Sequence, residues 1–167
     1  MVSSAGHAMW KGDPFADLHA RQAHLGFETY ARAKLLNLMW TFALARRLDD
    51  SGVTANAANP GVAWTAQTQG IQARSMPEAQ RLFWPLFRLI QRRGAPAEAA
   101  RAIMHLDSAP DVAHVNGQYF ESNARPATPA AAARDAALQE RSWLTAAELV
   151  AGAATALTFG PPGRALA

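Results

Sequence analysis

Tyr30-Ala31-Arg32-Ala33-Lys34-Leu35-Leu36-Asn37 is the stretch that decides how this chain folds. The apolar residues continue as Leu38, Met39, Phe42, Ala45 and Leu48, at steps of three and four. That spacing predicts a helix from about Thr29 to Asp49 with one face in a core. Asp49-Asp50-Ser51-Gly52 closes it, with a glycine just past the last turn. On this helix Tyr30 and Lys34 stand four residues apart and share a face. An ammonium beside a phenol favours the phenolate. A tyrosine so placed can give a proton to a carbonyl or take one from an alcohol. Taken alone, the same spacing also describes an ordinary helix start with an exposed lysine.

Outward from this helix the chain alternates. Met1-Val2-Ser3 predicts the end of a strand, and residues from Ala5 to the helix, rich in Gly, Asp, Pro and His, predict a loop. Val53 to Ala58 predicts a short strand ahead of the breaker Pro60-Gly61. A loop follows to about Ser75. Pro77 to Arg93 predicts an amphipathic helix interrupted by Pro85, and Ala97 to Leu106 a second helix opened by Ala95-Pro96. Asn116 to Phe120 predicts a last strand. Thr128-Pro129 starts a helix that runs to about Val150, and residues 151–167, with Gly160-Pro161-Pro162-Gly163, predict a disordered tail. Strands alternating with helices imply an α/β fold with a parallel sheet and helical crossovers.

Composition narrows the function classes. The chain has 167 residues, 50% hydrophobic and 17% charged, enough for one domain with a core. It has no cysteine, so disulfides and thiolate metal sites are excluded. No apolar run is long enough to span a membrane, and the first residues do not have the pattern of a signal peptide; with the absence of cysteine these point to a cytoplasmic protein, the alternative being a secreted protein without cysteine. Net charge is +3, and of the 16 basic residues all but Lys11 and Lys34 are arginine, scattered among acids. Nucleic acid binding would ask for a continuous basic stripe, so no nucleic acid partner is expected. His7, His19, His24, His105 and His114 show no ligand spacing, so no metal site is expected.

The run from Tyr30 to Thr65 resembles the active-site half of the short-chain dehydrogenase/reductase family: Tyr-x-x-x-Lys, a helix, a strand, then Asn59-Pro60-Gly61. It is most similar to the retinol-dehydrogenase-like branch, whose helix often reads Tyr-x-x-Ser-Lys-Leu-x-Asn; Ala33 replaces the serine here. Asn116-Gly117-Gln118-Tyr119-Phe120 is similar to that branch's last strand, and Val2-Ser3-Ser4-Ala5-Gly6-His7 to the strand end that carries the catalytic serine. The resemblance covers residues 1 to about 150. It implies a fold that is the C-terminal half of a doubly wound Rossmann-type parallel sheet. It also implies interconversion of an alcohol and a carbonyl with NAD or NADP, the choice between them not being readable.

By that resemblance Ser4, Tyr30 and Lys34 are catalytic. Ser4 would hold the substrate oxygen, Tyr30 would be general acid or base, and Lys34 would support Tyr30 and bind the nicotinamide ribose. Tyr30, Lys34, Pro60, Gly61, Val62 and Thr65 would meet the cofactor, the loop after the glycine through Val62 and Thr65. Ala63 and Trp64 depart from the residues common there. Residues about 66–94 would be the lid over a hydrophobic substrate. That segment's basic flank, Arg81, Arg88, Arg92 and Arg93, would also suit peripheral contact with an anionic membrane, and plain core is the third reading of its apolar residues.

One requirement is unmet. None of the eleven glycines forms Gly-x-x-x-Gly-x-Gly or Gly-x-Gly-x-x-Gly, the turn on which a pyrophosphate rests at a helix N-terminus. The expectation is therefore a chain that begins midway through the fold, with the N-terminal strands missing, and is inactive alone. The alternative is a non-enzymatic remnant that pairs with a full-length relative. A homo-oligomer is also left open.

Overall fold

The computed structural model describes residues 1–22 and 26–158, and side chains within them except at position 80 and positions 154–158. The chain is α/β and mostly helical, around a short parallel sheet. In order come a 3-10 turn at Ala5–Met9, then α1 (Gly26–Arg47), β1 (Ala57–Ala58), α2 (Ala66–Gln69), α3 (Glu78–Arg81), α4 (Trp84–Arg92), α5 (Pro96–Ser108), β2 (Tyr119–Phe120), α6 (Ala131–Arg134) and α7 (Ala136–Thr158). Two further 3-10 turns cover Ala73–Ser75 and Pro110–Val112.

α1 forms where its spacing predicts. Leu35, Leu38, Met39 and Phe42 turn inward, and with Phe15, Ala57, Tyr119 and Ala133 they make the core. Each large apolar side chain buried there stabilises the fold by roughly 1.5–3 kcal/mol. Glu28 in the first turn and Arg46 and Arg47 in the last oppose the helix dipole. The Asn116 side chain donates to Ala45 O (2.9 Å) and to the Asp49 carboxylate, so a carbonyl near the helix end finds a partner from across the chain.

β1 is the centre of the sheet. It pairs in parallel with β2, Ala57 opposite Tyr119 and Ala58 opposite Phe120. On its other side Met1 O accepts from Ala58 N–H, and Ser3 N–H donates to Ala58 O (2.8 Å), so Val2 bridges Ala58 in parallel. The strands are shorter than the sequence predicts. Residues 53–56 are not in the ladder: Ala55 N–H donates to Asn116 Oδ1 and Gln118 N–H to Asn56 Oδ1, while Ala55 O accepts from Gly117 N–H (3.0 Å). Gly117, at φ +71, bends the chain just ahead of β2.

Other boundaries also move. The predicted interrupted helix from Pro77 is two helices, and Pro85 sits in the first turn of the second rather than in its interior, where its missing N–H costs nothing. The last helix does not start at Thr128. α6 ends at Arg134, and the carboxylate of Asp135 accepts from Ala137 N–H (2.8 Å) and Leu138 N–H (3.1 Å) and caps α7. α7 then runs to Thr158, so the expected disordered tail is helical at its start; Gly160 to Gly163 lie outside the described residues. α7 packs along α1. Trp143 stacks on Trp40 with centroids 5.5 Å apart, the Arg47 guanidinium covers Trp143 at 4.4 Å, and Arg47 pairs with Glu140. No described helix is long and apolar enough to cross a membrane.

Candidate active site

Parallel strands carry their C-terminal ends to one edge of a sheet, and loops there can converge. Ser4 follows the paired Ser3, and Asn59-Pro60-Gly61 follows β1, so both leave the sheet at that edge. The start of α1 reaches the same edge. Ser3 Oγ donates to Lys34 O (3.4 Å), and Lys34 Nζ donates to Val2 O (3.3 Å).

Three candidate residues come together here. A Cβ placed on Gly6 would lie 3.3 Å from Cε1 of Tyr30 and 3.4 Å from Ser4 Oγ. Tyr30 and Ser4 therefore flank one small gap that a glycine leaves open. Lys34 Nζ stands 5.6 Å from the centre of the Tyr30 ring. Tyr30 is 41% exposed, so its phenol is open to a ligand. Ser4 begins the 3-10 turn and accepts from Gly6 N–H through its hydroxyl (3.1 Å), which points the side chain over the turn.

His7, given no role from sequence, holds this turn. It is buried, and Ala130 N–H donates to its Nε2 (3.1 Å). Nε2 is then unprotonated, so Nδ1 carries the hydrogen and donates to Ser4 O (2.6 Å). The imidazole thus ties the serine turn to the segment ahead of α6. Its ring also meets Tyr119 edge-on at 5.3 Å. The signal for it was its place in the stretch with Ser4, since spacing to other histidines says nothing about such a role.

The loop after β1 is built from its first residue. Asn59 is buried; its amide donates to Glu121 Oε2 (2.6 Å), and its Oδ1 accepts from Gly61 N–H (3.0 Å). Gly61 has φ +75, and a Cβ on it would come within 3.0 Å of Ser122 Cβ, so the turn needs glycine twice over. Gly61 and Val62 are exposed. Thr65 caps α2 reciprocally with Thr68. Pro60 and Gly61 follow β1 at the edge where Ser4 follows Ser3. Gly94, absent from the sequence reading, closes the loop: its O accepts from Trp64 N–H (2.9 Å), and a Cβ there would overlap Val62 O at 2.1 Å.

Tyr119 is the second tyrosine and differs from Tyr30 in every respect. It is 2% exposed, and its hydroxyl is enclosed without a well-formed hydrogen bond. Burial first, and the Glu121 carboxylate second, push its ionisation well above the usual range for a phenol. It stays neutral and belongs to the core. A cleft of about 610 Å³ is also separate from the site. It lies at the N-terminal end of β2, lined by Arg46, Asp49, Gln118, Thr128 and Arg134 among others, and by none of the candidate site residues.

These residues fit the nicotinamide end of a dinucleotide: an exposed phenol, an ammonium, a hydroxyl, and backbone bared by a glycine at positive φ. Among the described residues no strand runs into a glycine-rich turn that opens a helix, so the pyrophosphate has no cradle here. No group of three or more His, Asp or Glu that could hold a metal gathers among the described residues, and His24 lies outside them.

No model of a protein family matches the chain. Individual proteins do. Polyprenol dehydrogenase of Mus musculus is 34% identical over 144 residues, 85% of this chain and 41% of that protein. Retinol dehydrogenase 12 of Mus musculus is 31% identical over 149 residues, 89% of this chain and 44% of that protein. Retinol dehydrogenase 13 of Homo sapiens is 35% identical over 121 residues, 72% of this chain and 36% of that protein. The chain therefore spans less than half the length of these curated relatives.

Proposed function

We propose that this chain, a homologue of the retinol-dehydrogenase-like short-chain dehydrogenases/reductases, carries the proton-handling half of an alcohol/carbonyl oxidoreductase site. The observation that supports it most is the Gly6 gap, with Tyr30 and Ser4 on its two sides and Lys34 beside the tyrosine. Tyr30 gives a proton to the carbonyl oxygen in reduction and takes it from the hydroxyl in oxidation. Ser4 donates a hydrogen bond to that oxygen as charge develops on it. Lys34 places a positive charge by the phenol and reaches the ribose of NAD or NADP. Pro60, Gly61, Val62 and Thr65 shape the loop along the carboxamide. The cofactor supplies the hydride chemistry when bound. His7 positions Ser4 through its carbonyl. The substrate is a hydrophobic alcohol or carbonyl, a reading supported by the relatives named for retinol and polyprenol.

In a second reading the chain serves as an assembly partner of a longer relative. A titration shows whether these residues suffice to hold the cofactor. Followed by fluorescence, the 167-residue protein is expected to show no tight binding of NADH or NADPH. Micromolar affinity would show that these residues suffice. The role of Tyr30 is tested in a chimera that places a dinucleotide-binding half ahead of Met1. Tyr30→Phe is expected to lower kcat by at least about a hundredfold with cofactor affinity little changed. Equal turnover of the two chimeras would refute the assignment.

A further inference from the structure

The cleft of about 610 Å³ at the N-terminal end of β2 shares no residue with the site that carries Ser4 and Tyr30, and its size is that of a small-molecule pocket. Phe42, Ala45 and Pro129 supply apolar lining. Its polar lining falls into two groups, each tied together by side-chain hydrogen bonds.

One group is cationic. Gln139 is 5% exposed, and its amide is used on both sides: Nε2 donates to Ala133 O (2.7 Å), and Oε1 accepts from the Arg46 guanidinium. A buried amide thus holds Arg46 beside the backbone that leads into Arg134. Among the described residues neither arginine has a carboxylate partner, and the Arg134 guanidinium has no partner at all. The other group is rich in acceptors. Asn116 Nδ2 donates to Asp49 Oδ1 (3.0 Å), and Asp49 Oδ2 takes no protein donor. The side chains of Gln118 and Thr128 stand in the same lining without a protein partner.

This is more order than a solvated surface needs. Arg46 gives up rotamer freedom for a bond to a buried amide, and no ion pair offsets that loss. Two guanidiniums against one carboxylate leave the cleft positive. The helix N-terminus is not the source of this preference, because Asp135 already takes the N–H groups of Ala137 and Leu138. Guanidinium forks match the oxygens of a phosphate, whereas a carboxylate and an amide match hydroxyl groups.

We propose that the cleft binds a small phosphate monoester of a polyol or sugar. The phosphate lies on Arg46 and Arg134, the hydroxyls meet Asp49 and Gln118, and the carbon frame rests on Phe42 and Ala45. The oxidoreductase reading is not needed for this, since the two sites have no residue in common.

The test is isothermal titration calorimetry of the full 167-residue protein at one ionic strength, with glycerol phosphate, ribose phosphate, inorganic phosphate, glycerol and ribose as probes. At least one of the two esters is expected to bind saturably with a Kd below about 1 mM. Inorganic phosphate should bind several-fold more weakly, and glycerol and ribose not measurably. Arg134→Ala is expected to weaken the ester by about tenfold. Gln118→Ala should weaken it by about threefold and leave inorganic phosphate unchanged. Both side chains are exposed, so the variants should keep the wild-type circular dichroism spectrum and thermal melt. Failure of both esters to bind would overturn the proposal, as would an Arg134→Ala variant that binds them as well as wild type. Inorganic phosphate that binds as tightly as the esters would also overturn it, because the hydroxyl contacts would then contribute nothing.

Discussion

α1 and α4 have the same pattern in sequence and opposite fates in space. Both repeat leucine and aromatic residues at three- and four-residue steps. In α1 the stripe is buried: Leu38 and Met39 have no exposure at all. In α4 the stripe of leucine and isoleucine looks outward, and the inward face is built from tryptophan, phenylalanine, arginine and glutamine. Periodicity states that a helix has two unlike faces. It does not state which face finds a partner. α1 lies against the sheet and α7, so its apolar side has somewhere to go. α4 is tethered beyond the sheet edge, and Arg88, over the Trp64 ring and donating to Thr68 O, fixes it with the stripe uncovered.

Mutations can break or sharpen this contrast. The largest effect is expected for Leu38→Ala, which empties part of the core and should cost about 2–5 kcal/mol in urea unfolding. Were Leu38→Ala harmless, the core assignment would be wrong. Gly61→Ala comes next, at about 1–3 kcal/mol, because alanine is strained at φ +75 and meets Ser122. A thermal melt no lower than wild type would show that the turn relaxes freely.

Tyr119→Phe probes the core by pH. In the unfolded chain this phenol ionises near its ordinary value of 10.0, and in the fold only later. The stability that this difference contributes is complete below the unfolded value and is lost as pH rises beyond it. Tyr119→Phe should therefore flatten the alkaline fall in stability and change little at neutral pH. An alkaline unfolding curve with the wild-type slope would show that other groups govern it. The smallest effect is expected for Leu89→Ala on α4, within about 0.5 kcal/mol, because the side chain is half exposed and leaves no cavity. A loss as large as that of Leu38→Ala would mean that the outward stripe is covered in solution.

How much was legible in the sequence differs between the two regions. The site was legible as far as local spacing carried it. Tyr30 and Lys34 share a helix face by geometry alone, and Ser4 and Gly61 stand beside recognisable neighbours. Their meeting across the Gly6 gap was not legible, because Ser4 and Tyr30 are joined only by the pairing of Met1-Val2-Ser3 with β1 and by the packing of α1. The same holds for His7 and Gly94, whose partners, Ala130 and the Val62 loop, are distant in sequence. Strand lengths were overestimated because Asn116 takes the Ala55 N–H and Asn56 the Gln118 N–H, and a side chain that replaces part of a ladder leaves no signature in β-propensity.

The sequence by itself determined that the chain is α/β, where its long first helix lies, and that a phenol and an ammonium share one face of that helix. It did so because helical periodicity and turn residues act over a few positions. Tertiary structure alone decided that Ser4 meets this pair at one edge, that an imidazole fixes the serine turn, and that the second apolar stripe faces outward. Those outcomes depend on hydrogen bonds and packing between segments far apart in the chain, where the energy of a residue is set by what folds against it.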